Sequence, residues 1–295
     1  MTSLFFSLPG DLTLKLESDF LESFHPDDLV LAQAYLPGLK CASAPMTQVA
    51  DIVLTHRQTR KTQALEETGR YSFVLHDTWT NHVSPDTYFL LYSLTRRAWL
   101  DRHLFSVHAA CVEDDAGAIL LVGHSGVGKT RIAFELIQQG KRLFAGNKTI
   151  IEWTSLHSME AIAGTQTMTL HAQTIPGTNK EIAYGNRKAF IMTQEKYSRR
   201  SHVPVRAIVF VRLNDGVEST EHLSPMSALH RLFPFFLDLV NADVLIGTAG
   251  NILTDKRPAG IESFLITQLW NSIQTLPVVR VEGSLAYLSQ TISTL

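Results

Sequence analysis

Ile119-Leu120-Leu121-Val122-Gly123-His124-Ser125-Gly126-Val127-Gly128-Lys129-Thr130 decides how the rest of the chain is read. Its first four residues are a short unbroken apolar run, fit for a strand buried on both faces. The next eight satisfy G-x-x-x-x-G-K-[ST]. From Arg131 to Gly140, apolar residues fall at Ile132, Ala133, Leu136 and Ile137, and the stretch closes on glycine, as an amphipathic helix does. Strand, glycine-rich turn and helix in that order make a complete phosphate-binding unit rather than a bare string.

The residue types follow from what a polyanion needs. Gly123, Gly126 and Gly128 let the backbone curl so that successive N–H groups point inward with no Cβ in the way. The helix beginning near Lys129 adds its unpaired N–H groups and the positive end of its dipole. Lys129 supplies a point charge for the β- and γ-phosphates of ATP, and Thr130 a hydroxyl ligand for Mg²⁺. His124, Ser125 and Val127 complete the loop. His124 and Ser125 read either as contacts to phosphate or substrate, or as solvated loop positions.

Working outward, Leu104 to Val112 and Ala118 to Val122 read as a strand pair joined by Glu113-Asp114-Asp115-Ala116-Gly117. Asp114 and Asp115 invite a catalytic reading, but acids beside glycine are ordinary turn chemistry. Ser84-Pro85-Asp86 opens a helix, with Ser as cap and Pro at the first helical position. Its apolar positions run to Leu100 and it ends near His103. The expected organisation is a strand-rich α+β domain over residues 1–83, a linking helix over 84–103, and a phosphate-binding α/β domain with a mixed sheet over 104–295. Two further helices are expected, at about Pro225 to Asn241 and Arg257 to Thr275, then a strand at Val278 to Val281. Phe233, Phe235 and Phe236 read as core, and leave room for self-association of two copies.

Composition sets the class. The 295 residues are 45% hydrophobic and 18% charged, with 17 Gly and 11 Pro, which is ordinary globular usage. Lys plus Arg number 26 against 28 Asp plus Glu, a net charge of -2, so no broad electrostatic footprint for nucleic acid or an anionic membrane is present. Cys41 and Cys111 are too few for a disulfide scaffold and read as reduced cytoplasmic thiols. No stretch has the roughly 18 to 20 apolar residues of a membrane span. The twelve histidines fall at spacings that match no zinc ligand set.

Ser106-Val107-His108-Ala109-Ala110, the Asp/Gly turn, the loop at 123–130, and then Gly140-Lys141-Arg142-Leu143-Phe144-Ala145 together resemble the core of HPr kinase/phosphorylase and related kinases. The resemblance runs from Leu104 to Trp153. It implies an ATP- and Mg²⁺-dependent kinase with a fold shared with phosphoenolpyruvate carboxykinase, acting on a hydroxyl of a small molecule or of a serine in a peptide or protein. In that family the strand ahead of the hairpin carries a His near the phosphates, and His108 falls there. Taken from residues alone, His108 reads first as a core histidine satisfied by backbone. The family then shows a pair of aspartates at a strand start, where this chain has Gly146-Asn147-Lys148. Asn147 can hold a cation or position a hydroxyl, but it is no general base.

Two accounts of that departure stand. Asn147 works with an acid from elsewhere, Glu152 or Asp215, in a transfer that needs positioning and charge neutralisation more than a base. Alternatively the chain binds nucleotide as a regulator or scaffold and transfers nothing. Downstream, the polar stretch from Gln173 to Glu181 and the following Ala183 to Lys188 read either as a substrate loop with Lys180, Arg187 and Lys188, or as an exposed connection. Lys196 to Arg200 reads as a solvated face.

Overall fold

The computed structural model describes residues 2–18, 32–41, 49–56, 63–67, 70–75, 85–171, 178–184, 187–237 and 258–295. These form two compact units, one of residues up to 104 and the other of residues 105–237 and 259–295. In the first unit, Thr2–Leu8 (β1), Leu12–Ser18 (β2), Lys40–Cys41 (β3), Ile52–His56 (β4), Gln63–Glu67 (β5) and Arg70–Leu75 (β6) form one sheet in the order β3-β1-β2-β4-β6-β5. Helix Pro85–Leu100 (α1) belongs to the same unit, and its fully buried Trp99 donates its indole N–H to the Pro9 carbonyl at 2.9 Å.

The second unit is α/β with a mixed sheet, as the sequence predicts. Its strands are Phe105–Val107 (β7), Ala109–Asp114 (β8), Gly117–Val122 (β9), Arg142–Ala145 (β10), Thr149–Ser155 (β11), Ser158–Gly164 (β12), Thr167–His171 (β13), Thr178–Tyr184 (β14), Arg187–Met192 (β15), Val203–Leu213 (β16), Ser219–His222 (β17) and Val278–Gly283 (β18). The main sheet runs β10-β8-β9-β16-β12-β11-β7, and β18 joins the far end of β16 and carries β17. β9 and β18 are both parallel to β16, while β8, β12 and β17 pair antiparallel with their neighbours. β13, β15 and β14 form a separate three-stranded sheet.

β9 is buried at every residue, which is why its sequence is an unbroken apolar run rather than an alternating one. One face of the sheet holds Ile119, Leu121, Val209 and Val211 against helix Lys129–Gln138 (α2) and helix Leu285–Ser293 (α5). The other face is aromatic: Trp153 lies 5.3 Å from Phe105 and 5.6 Å from Phe236, the latter on helix Pro225–Leu237 (α3). Helix Ile261–Ser272 (α4) adds Phe264, and Trp153 donates its indole N–H to Ser272 Oγ at 2.8 Å. Residues 238–257, into which the first C-terminal helix and the start of the second were expected to extend, lie outside the described residues. The sequence reading did not anticipate α5, although its signal is plain: Ser284 accepts the Tyr287 N–H as N-cap, and Leu288 and Ile292 are buried one turn apart.

The expected strand Leu104 to Val112 is instead two. It breaks at His108, where the chain leaves β7 at one end of the sheet path and enters β8 near the other. The turn after β8 is also tighter than expected, because pairing continues to Asp114↔Gly117 and only Asp115 and Ala116 turn. Asp114 is an ion-pair hub at the end of β8 away from the glycine-rich loop. It accepts from Lys141 Nζ at 2.5 Å and from Arg206 at 2.6 Å, while fully exposed Asp115 pairs with Arg142.

Burial alone would push the Asp114 carboxyl up, but the hydrogen bonds from Lys141 and Arg206 outweigh it and bring the group down from 3.8 to about 2. A folded value below the unfolded one contributes stability that is complete above the unfolded pKa and lost as pH falls through the folded one. Asp114→Asn should therefore lower the urea midpoint at neutral pH, and should flatten part of the stability loss that the native protein shows between roughly pH 4 and pH 2.

Candidate functional site

The loop joins β9 to α2 and rests on the end of β16. Gly123 and Gly128 have φ of 152° and 98°, values that L side chains rarely adopt. Space is tight as well: a Cβ on Gly123 would lie 2.9 Å from Val127 Cγ2 and 3.2 Å from the Val211 carbonyl oxygen, and one on Gly128 would lie 2.7 Å from Leu213 Cβ. The Leu213 N–H donates to the Val127 carbonyl at 2.9 Å, tying the loop to the strand beneath it. Helical bonding starts with Ile132 N–H to Gly128 O at 3.0 Å, so the N–H groups ahead of it have no partner within the helix.

Lys129 is only 6% exposed, and its ammonium donates to Gly123 O at 2.6 Å and His124 O at 3.0 Å. Among the described residues no carboxylate pairs with it. Burial accordingly pushes it down from 10.5 to about 8. A desolvated cation at a helix N-terminus, compensated by carbonyls alone, is chemically suited to an anion. Thr130, next along the helix, is half-buried, and its hydroxyl has no hydrogen-bond partner among the described residues. Ser125 and Gly126 are exposed at the loop tip. His124 is also exposed, but its ring packs against Phe235 of α3 with centroids 5.2 Å apart.

His108 does not sit within a buried strand, as the sequence suggested. It is half-buried at the bend between β7 and β8, because its two flanking strands pair with different partners. The last β8–β9 pair is Ala109↔Val122, so His108 stands one residue beyond it, at the loop end of the sheet. Thr149 closes the corner: it pairs with Val107, and its hydroxyl donates to Ala109 O at 3.0 Å. Asn147, two residues before Thr149, thus lies at the same end of the sheet as His108 and the loop. Its backbone N–H and that of Lys148 both donate to Thr165 Oγ1, at 3.0 and 3.1 Å. Gly146 is required beside them, since a Cβ there would overlap the Thr167 carbonyl.

The other sequence candidates are spread more widely. Glu152 lies further along β11, opposite Glu160, and Asp215 is exposed in a turn closed by Asn214 Oδ1, which accepts from Gly216 and Val217. Residues 173–177 of the polar stretch and 185–186 of the segment after it are outside the described residues. Lys180, read as part of a loop, is on β14, and Arg187 and Lys188 are on β15. Arg199 and Arg200 are exposed. Phe235, expected in the core, is instead half-buried with its ring against His124.

No protein-family model matches the chain. An HPr kinase/phosphorylase of Lactobacillus delbrueckii subsp. bulgaricus is 35% identical over 86 residues, 29% of this chain and 25% of that protein. The matched segment thus spans about a quarter of that relative's length. A solved structure, the HPr(Ser) kinase/phosphatase of Coxiella burnetii, is similar with a TM-score of 0.31 and 10% identity, covering 64% of this chain and 92% of that one. A weak sequence relationship to an HPr kinase is therefore present.

Two outcomes follow from the site's geometry. Gly146→Ala should destabilise the fold by about 1–3 kcal/mol, the usual cost of overpacking, read as a lower urea midpoint. Because only the charged form of Lys129 attracts an anion, pyrophosphate affinity should fall as pH rises above about 8, followed by calorimetric titration across that range.

Proposed function

We propose that the chain is an ATP- and Mg²⁺-dependent phosphotransferase whose acceptor is a hydroxyl, on a small molecule or on a serine in a peptide or protein. The observation that carries this reading is the Lys129 ammonium, buried at the start of α2 and, among the described residues, bonded only to the carbonyls of Gly123 and His124. A triphosphate would give that cation the negative partner it lacks, and the curled loop would add backbone N–H donors. Thr130 fits as the hydroxyl that would hold Mg²⁺, which when bound would neutralise charge on the β- and γ-phosphates. His108 and Asn147 stand at the acceptor side, where an imidazole can take a hydroxyl proton and an amide can orient the hydroxyl. The similarity of 86 residues to an HPr kinase/phosphorylase supports a kinase and makes a protein acceptor a reasonable first choice.

A second reading has its own observation in favour. Gly146-Asn147-Lys148 carries no acid, and its backbone is braced onto Thr165, so the segment holds structure whether or not it serves chemistry. No group of three or more metal-ligating acids, histidines or cysteines occurs among the described residues. On this reading the chain binds nucleotide as a regulator or scaffold.

ATP turnover, with and without peptide and small-molecule hydroxyl acceptors, separates the two. The native protein should transfer phosphate, and Lys129→Ala should reduce the rate by roughly a hundredfold or more, the scale for losing a phosphate-clamping charge. Nucleotide binding without turnover under any acceptor would select the regulator.

A further inference from the structure

The strand that floors the loop ends in a cation that nothing above employs. Arg212 lies between two residues that touch the two ends of the loop: the Val211 carbonyl crowds Gly123, and Leu213 bonds to Val127 and packs against Gly128. Val209 and Val211 face the core beneath α2, so strand alternation sends Phe210 and Arg212 to the opposite face. On that face Phe210 lies 5.9 Å from Phe235, and Phe235 lies 5.2 Å from the loop residue His124. Arg212 therefore emerges beside the loop on the side that His124 overhangs.

Its present tether is loose. The side chain is 64% exposed, and its guanidinium is 3.6 Å from Glu282 Oε1. Glu282 is better served by others, accepting from Asn214 Nδ2 at 2.7 Å and from Arg280 at 2.8 Å. Releasing Arg212 leaves that carboxylate satisfied, and an exposed ion pair of this length costs little to break. The geometry points to Arg212 as a second phosphate-binding cation, which leaves Glu282 to contact the terminal phosphoryl group of a nucleoside triphosphate seated in the loop. This inference rests on the nucleotide reading of residues 123–130 and adds to it a residue that distinguishes a triphosphate from a diphosphate. A guanidinium suits the role because its fork meets two phosphoryl oxygens at once and it keeps its charge throughout the working pH range. It would also neutralise charge at a site whose strand-start acids are replaced by Gly146 and Asn147.

The test is calorimetric binding of Mg·ADP and of a non-hydrolysable Mg·ATP analogue to the native protein, Arg212→Gln and Arg212→Lys. Exposure of the side chain means that these variants leave the core intact. Arg212→Gln should bind ADP as the native protein does and the ATP analogue at least tenfold more weakly, with Arg212→Lys recovering part of the loss. An Arg212→Gln protein that keeps native affinity for the analogue, or that loses affinity for both nucleotides equally, overturns the assignment and leaves the nucleotide site standing. A native protein that binds neither nucleotide overturns both.

Discussion

The loop at 123–130 holds its curl because another strand ends underneath it. β16 runs parallel to β9 for the length of the apolar run, then continues past it, so that Val211 and Leu213 meet the loop from below. The Leu213 N–H to Val127 O bond and the lack of space for a Cβ on Gly123 and Gly128 are one constraint seen from two sides. β9 is buried at every residue and β16 at Ala207, Ile208, Val209 and Val211, which makes that floor rigid, and rigidity is what keeps a desolvated Lys129 in place despite the unfavourable cost of its charge. The same strand ends carry Arg212 and, through β18, Glu282, so the electrostatics around the loop depend on the register of one parallel pair.

The loop and its two flanking elements were legible because local sequence dictates them: an apolar run, three glycines and a 3.6-residue periodicity need no distant partner to be recognised. The corner at His108 was not. Leu104 to Val112 reads as one continuous apolar stretch, and only the competing pairings of β7 with β11 and of β8 with β9 show where it breaks. The contact of Phe235, read as core, with His124 was illegible for a similar reason. Its neighbour Phe236 goes into the core, and nothing in sequence says that one of two adjacent aromatics should turn to a histidine more than a hundred residues earlier. Asp215 follows the apolar run Ala207 to Val211 and reads in sequence as a candidate acid, whereas the structure leaves it exposed in a turn closed by Asn214.

The segment Gly146-Asn147-Lys148 shows how a change of chemistry can leave architecture intact. Thr165 takes both backbone N–H groups of Asn147 and Lys148, and Gly146 fits against the next strand only without a side chain. Backbone bonding of this sort is indifferent to whether position 147 bears a carboxylate or an amide. A neutral amide at Asn147 and the Arg212 guanidinium at the end of β16 both leave the local field favourable to anions.

The bend at His108 also limits how the chain can vary in length. One residue separates a strand fixed by Thr149 from a strand fixed by Val122, with opposite ends of the sheet path on either side. A single insertion there must be absorbed within the bend, or else β7 or β8 slips by one position and turns its inward-facing side chains outward, since strand faces alternate residue by residue. Length changes among related chains should accordingly collect in hairpin turns such as Asp115-Ala116 and avoid this corner.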